Sequence, residues 1–94
     1  MKITDLKEGP FEGEIECTIV SLEEVKKIPK FGRTLKLVNG VIEDDSGSMK
    51  IAFWNEDVGR FKEGDKIRIS NGFVRNFRDE LIISAGRNGN IEKL

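Results

Sequence analysis

Aromatic side chains of this 94-residue chain alternate with cations in a way that a merely solvated surface does not require. Phe73, Arg75 and Phe77 stand two residues apart, and Lys50 and Trp54 share one parity four residues apart. In an extended strand, residues of one parity lie on one face. Rings interleaved with cations on an exposed sheet suit single-stranded nucleic acid. Bases stack on the rings, at about 1–3 kcal/mol each, while Arg and Lys meet the phosphates. Taken singly, each aromatic would suit the core of a small barrel, and it is the alternation with charge that points outward. Arg33, Lys36, Arg68 and Arg78 are the other cations expected at such a face.

Other chemistry is excluded by residue type. Without histidine the chain has no imidazole acid–base or triad chemistry, and its residues make a poor zinc ligand set. Cys17 is the single thiol, so no intramolecular disulfide can form, and it reads as a small core residue. Glu23-Glu24 and Asp44-Asp45 are adjacent carboxylates whose side chains diverge in a strand or turn, with no nucleophile beside them. Asp44-Asp45-Ser46-Gly47 lacks the ligand spacing of a calcium loop and reads as a tight turn. An enzyme is not expected, nor any cofactor or metal.

Short strands divided by turn signals must position these side chains, and the length suits one domain. Residues 12–25 are predicted as a long first strand with Ile15, Cys17 and Ile19 inward. Residues 26–32, with Pro29 and Gly32, read as a loop. Arg33 to Glu43 is the second strand, in which Gly40 marks a bulge or bend. Residues 49–54 are the third, with Met49, Ile51 and Phe53 on one face and Lys50, Ala52 and Trp54 on the other. Residues 55–61 are predicted to hold one or two helical turns capped by Asn55.

Lys62-Glu63-Gly64-Asp65 turns into the fourth strand, where Ile67 and Ile69 face inward. Simple alternation would then bury Asn71 and Arg75 and expose Val74, although a buried unpaired charge is costly. A one-residue slip at Asn71-Gly72 returns Val74 to the core and turns Phe73, Arg75 and Phe77 outward together. A hairpin through Arg78-Asp79 leads to a fifth strand with Leu81, Ile83 and Ala85 inward, ended by Gly86.

The formal net charge of −1 hides a segregation. Residues 1–25 carry two basic and seven acidic side chains, whereas residues 26–42 carry five basic and none acidic. Residues 43–59 are again acidic, and residues 60–87 hold seven basic against four acidic groups. Such blocks can place a positive face on a chain that is neutral on average.

Five strands with a short helix after the third describe the oligonucleotide/oligosaccharide-binding (OB) fold. More specifically, residues 31–86 resemble the single-domain archaeal single-stranded-DNA-binding proteins and the related domains of replication protein A. The resemblance rests on "GRTLKLVNGVIEDDSGSMKIAFWNEDVGRFKEGDKIRI" and "NGFVRNFRDELIISAG". It implies an all-β, five-stranded OB-fold barrel over about residues 11–86, with a short helix between strands 3 and 4. A short C-terminal segment, 87–94, completes a single domain of residues 1–94. It also implies that Trp54, Phe73 and Phe77 are the base-stacking aromatics and that Arg33 touches phosphate. Phe73 stands where the family often has tryptophan.

The function implied is non-enzymatic binding of single-stranded DNA in replication, recombination or repair, in the cytoplasm with the nucleoid. Single-stranded RNA is an alternative ligand, since stacking platforms tolerate any base. A second alternative is a protein-interaction OB subunit that assembles with other replication or repair proteins, which the near-zero net charge suits. The cations between the aromatics separate these readings, because protein interfaces deplete lysine at their centres. No membrane role is expected. No apolar run approaches the ~20 residues of a span, and no apolar signal-peptide core follows Met1.

Overall fold

The alternating pattern folds, in a computed structural model describing residues 1–86 and 89–94, into nine strands and two 3-10 turns among those residues. The strands are β1 (Gly9–Pro10), β2 (Glu14–Leu22), β3 (Lys26–Lys30), β4 (Arg33–Glu43) and β5 (Ser48–Trp54). They continue with β6 (Lys66–Ser70), β7 (Phe73–Phe77), β8 (Glu80–Ser84) and β9 (Asn90–Lys93). Their order across the sheet is β1-β7-β8-β5-β4-β2-β6-β9, with β3 paired to β4. Neighbours are antiparallel except β5 and β8, which run parallel. In that order β7 and β6 lie far apart, yet only Asn71 and Gly72 separate them in sequence. Both conditions hold only if the sheet curls back on itself. The result is the all-β, curled half-barrel of an OB fold.

The inner wall is nearly all β-branched, as a pleated and enclosed surface favours. Ile15, Ile19, Ile42, Ile51, Ile67, Ile69, Ile83, Ile91 and Val74 are all under 2% exposed. Cys17 lies among them. Burial, with the nearby Asp44 carboxylate adding to it, pushes the thiol up to about 12, so it is inert at neutral pH.

An N-terminal 3-10 turn, Ile3–Asp5, sets Ile3 and Leu6 into the core. Asp44 ties it there. One carboxylate oxygen accepts the Ile3 N–H at 2.9 Å, and the other accepts the N–H groups of Ser46 (2.7 Å) and Gly47 (3.2 Å) and the Ser46 hydroxyl (2.5 Å). Burial alone pushes this carboxyl up, but the hydrogen bonds outweigh burial and hold it at about 2. The folded value lies below the unfolded one, near ~3.9, so the stabilisation is complete above about pH 4 and is lost as pH falls through about 2. Asp44→Asn should therefore flatten the acid limb of the stability curve, and Asp44→Ala should cost about 1–3 kcal/mol at pH 7. Urea midpoints measured at pH 7 and pH 3 for the three proteins test both.

Several sequence expectations are corrected. Residues 26–30 form strand β3, not a loop, paired Lys26 to Leu37 through Lys30 to Arg33. Pro29 is tolerated because β3 pairs only with β4 among the described residues, and its partner Thr34 lies one step from the turn-closing pair. At that position a proline nitrogen faces away from β4.

No helix joins the third and fourth predicted strands. A single 3-10 turn, Asn55–Asp57, stands there instead. Asn55 does not cap it. Its backbone is left-handed (φ 49°), and its side-chain oxygen accepts the Lys36 N–H at 3.0 Å. The predicted fourth strand is two strands, β6 and β7, divided at Asn71, whose φ of 50° marks the expected slip as a corner. The five-stranded count gives way accordingly. Of the C-terminal segment, residues 87 and 88 lie outside the described residues. Asn90–Lys93 pair with β6 as β9, with Ile91 in the core.

Candidate nucleic-acid interface

Register brings the alternating residues of four strands onto one surface. Leu37 and Asn39 of β4 stand opposite Trp54 and Ala52 of β5. Lys50 of β5 stands beside Ile82 of β8. Phe73, Arg75 and Phe77 of β7 stand opposite Ser84, Ile82 and Glu80. Residues directly opposite in neighbouring strands share a face, so one concave surface crosses β4, β5, β8 and β7. It holds two adjoining hollows of ≈ 760 and ≈ 540 Å³ whose walls share Ala52, Trp54, Arg75 and Ser84. Phe73 walls the first. Phe77, Lys50 and Glu80 wall the second.

The slip at Asn71 produces this outcome. Val74 is 0% exposed, while Phe73 and Phe77 are 38% and 52% exposed and Arg75 is exposed between them. Trp54 is half-buried at the junction of the hollows. Small residues beside it, Ala52 and Ser84, keep the floor low enough for its ring to form a wall.

Two tight hairpins extend from strands of this surface. Both have two-residue loops with positive φ at each central position: Phe31 (52°) and Gly32 (71°) between β3 and β4, and Arg78 (52°) and Asp79 (64°) between β7 and β8. This turn type matches the natural twist of the paired strands, although glycine or asparagine normally fills it. Side chains compensate in part. The Asp79 N–H donates to the Asn76 side-chain oxygen at 3.2 Å, and the Arg78 guanidinium lies 5.2 Å from the Phe77 ring.

Of the nine residues expected at the site, five lie in the groove walls: Lys50, Trp54, Phe73, Arg75 and Phe77. Arg78 is on the adjoining hairpin tip. Arg33 shares the parity of Leu35 and Leu37 but stands beside the β3–β4 turn and does not line the hollows. Lys36 has the other parity and lies off the groove. Arg68 is on β6, between β2 and β9, with its Nε 3.5 Å from the Glu14 carboxylate. Neither Lys36 nor Arg68 is brought to the others.

The structure adds residues that sequence reading passed over. Lys26 and Ile28 line the second hollow, and their parity with Lys30 was legible once 26–30 is a strand. Phe31 is 90% exposed at the tip, with the Lys30 ammonium 5.4 Å from its ring. Glu80 is ion-paired to Lys50. The hydrogen bond and the charge of that carboxylate raise the pKa of the Lys50 ammonium.

No family model matches the chain. It is 21% identical over 85 residues to the single-stranded DNA binding protein of Saccharolobus solfataricus, covering 90% of this chain and 57% of that protein. It is 34% identical to replication factor A of Methanothermobacter thermautotrophicus, covering 62% of this chain and 10% of that protein. The chain thus spans little more than half the length of the first relative and a tenth of the second. Among solved structures, the second OB-fold domain of replication protein A from Methanococcus maripaludis superposes with a TM-score of 0.81 at 28% identity, covering 100% of this chain and 93% of that domain. The chain is an OB-fold domain that resembles archaeal single-stranded DNA binding protein and replication factor A in sequence, and the replication protein A domain in structure as well.

Proposed function

We propose that this chain is a non-enzymatic module that binds single-stranded DNA in replication, and by the same chemistry where strands are bared in recombination or repair. One observation carries the reading. Trp54, Phe73 and Phe77 lie along one groove with Arg75 among them, on the outer side of a sheet whose other side is the core. Bases stack on the three rings, while Arg75, Arg78 and Arg33 meet phosphates. The name of the Saccharolobus solfataricus relative supports the same ligand, and that of replication factor A supports the same process. A cytoplasmic, nucleoid-associated location goes with this reading.

A titration tests it. The ligand is expected to be short, within the ~4–16 nucleotides that one such domain covers. With three or four phosphates neutralised, log affinity should fall against log salt with a slope of about −2 to −3, from about −0.7 per contact. Labelled deoxythymidine oligonucleotides of about 4 to 20 nucleotides, a matched RNA and a blunt duplex, followed by anisotropy across a salt series, give the site length, the salt slope and the preference among ligands. Equal binding to the duplex, whose base faces are hidden, or a salt slope near zero would overturn the reading.

A further inference from the structure

The second hollow contains a feature that a groove for a polyanion would not be expected to hold. Glu80 places a carboxylate beside Lys50, one of the cations lining the hollow, and pairs with it. Both side chains are about half exposed, 50% and 53%, and exposed pairs of this kind add little to folding. The pair also neutralises the charge that Lys50 would offer to a phosphate. Any phosphate close to Lys50 would be close to Glu80, and like charges repel. The backbone is thereby steered away from this part of the groove, to the Arg75 and Arg78 side.

A base edge fits there instead. Phe77 stands directly opposite Glu80 across the β7–β8 hairpin, on the same face. Arg78 occupies one side of the Phe77 ring, which leaves the other side to a base. A base stacked there carries its edge over the carboxylate and the ammonium. Glu80 can only accept hydrogen bonds, and Lys50 can only donate them. Guanine alone presents, side by side on its Watson–Crick edge, two N–H donors for a carboxylate and a carbonyl oxygen for an ammonium. Thymine presents one N–H between two carbonyl oxygens, one of which must face the second carboxylate oxygen. Glu23, Lys26 and Arg75 also line this hollow; Glu23 and Lys26 balance one another in charge, and Arg75, like Lys50, can only donate hydrogen bonds, so they do not reverse the preference.

We infer that Lys50 and Glu80 form a base-reading pair that makes the groove prefer guanine over thymine at the Phe77 platform. This rests on the proposed binding of single-stranded DNA. Bidentate recognition of this kind discriminates by about five- to twentyfold at the low end that suits a half-exposed site.

The test uses the whole chain and three labelled 12-mers: all deoxythymidine, the same with one central deoxyguanosine, and the same with deoxyinosine there. A short ligand can slide to seat its one distinct base. The guanine oligonucleotide is expected to bind about five- to twentyfold tighter than all-thymidine, with inosine between them because it lacks the second donor. Glu80→Gln, checked for an unchanged melting temperature, should remove most of that difference. Equal affinity for guanine and thymine in the unaltered protein, or a preference that survives in Glu80→Gln, would overturn the inference and leave DNA binding standing. Failure of all three oligonucleotides to bind would instead overturn the DNA-binding reading on which it rests.

Discussion

Trp54→Ala is expected to weaken binding of an unstructured deoxythymidine oligonucleotide by about 1–3 kcal/mol, roughly five- to 150-fold, the worth of one stacking platform. The ring is half-buried between the two hollows, so it contributes to both and its loss is felt along the whole groove. Trp54 is half-buried and stands opposite Leu37 across β4 and β5, so folding should also lose about 1–2 kcal/mol, less than for a core aromatic. The unaltered protein supplies a second readout. Trp54 is the only tryptophan, and its fluorescence should be quenched as bases lie against it. Phe73→Ala and Phe77→Ala should each reduce affinity without a large change in melting temperature, since both rings are already over a third exposed. A folded Trp54→Ala protein with undiminished affinity would remove the stacking groove from this molecule.

How much of this was legible before the fold was known depended on whether a feature is local. The outward set of β7 was legible because only one placement of Val74 and Arg75 is physically acceptable, and a slip at a glycine was the available means. The same local reasoning placed Cys17, Ile51 and Phe53 in the core. What failed was pairing. Gly32 does sit in the turn, but Pro29 read as a loop signal because an isolated segment gives no sign that its proline falls on the free side of an edge strand. Gly40 announced an irregularity, but the extra residue lies on the partner strand, between Ile19 and Ser21, and the backbone oxygen of Ser21 fills the space a Cβ at Gly40 would need. Asn55 was read as a helix cap from its type, whereas its side chain is claimed by the backbone of Lys36, nineteen residues away. Arg68 and Lys36 were expected at the site for their charge alone, and strand order sent them elsewhere. Glu80 was overlooked for the converse reason. A carboxylate is not sought in a site for a polyanion until its lysine partner is seen beside it.

Phe53 and Trp54 are neighbours in β5 on opposite faces of the sheet, so they should divide stability from binding between them. Phe53 is 2% exposed and packs against Phe61 with ring centroids 5.4 Å apart. Phe53→Ala leaves a cavity beside Phe61 and Val38, which the packed core closes only in part. The expected cost is about 3–5 kcal/mol, a large share of the ~5–15 kcal/mol available to a domain of this kind. At roughly 4–8 °C per kcal/mol for a chain of this size, the melting temperature should fall by at least about 12 °C. Phe53→Leu, which keeps most of the volume, should recover more than half of that loss. Measured well below its own melting point, Phe53→Ala should bind a deoxythymidine 12-mer within about threefold of the unaltered protein, because the groove face of β5 keeps Lys50, Ala52 and Trp54. A Phe53→Ala protein that melts normally would place this ring outside the core. One that stays folded but binds as poorly as Trp54→Ala would show that the groove depends on core packing beneath it and not on its own rings alone.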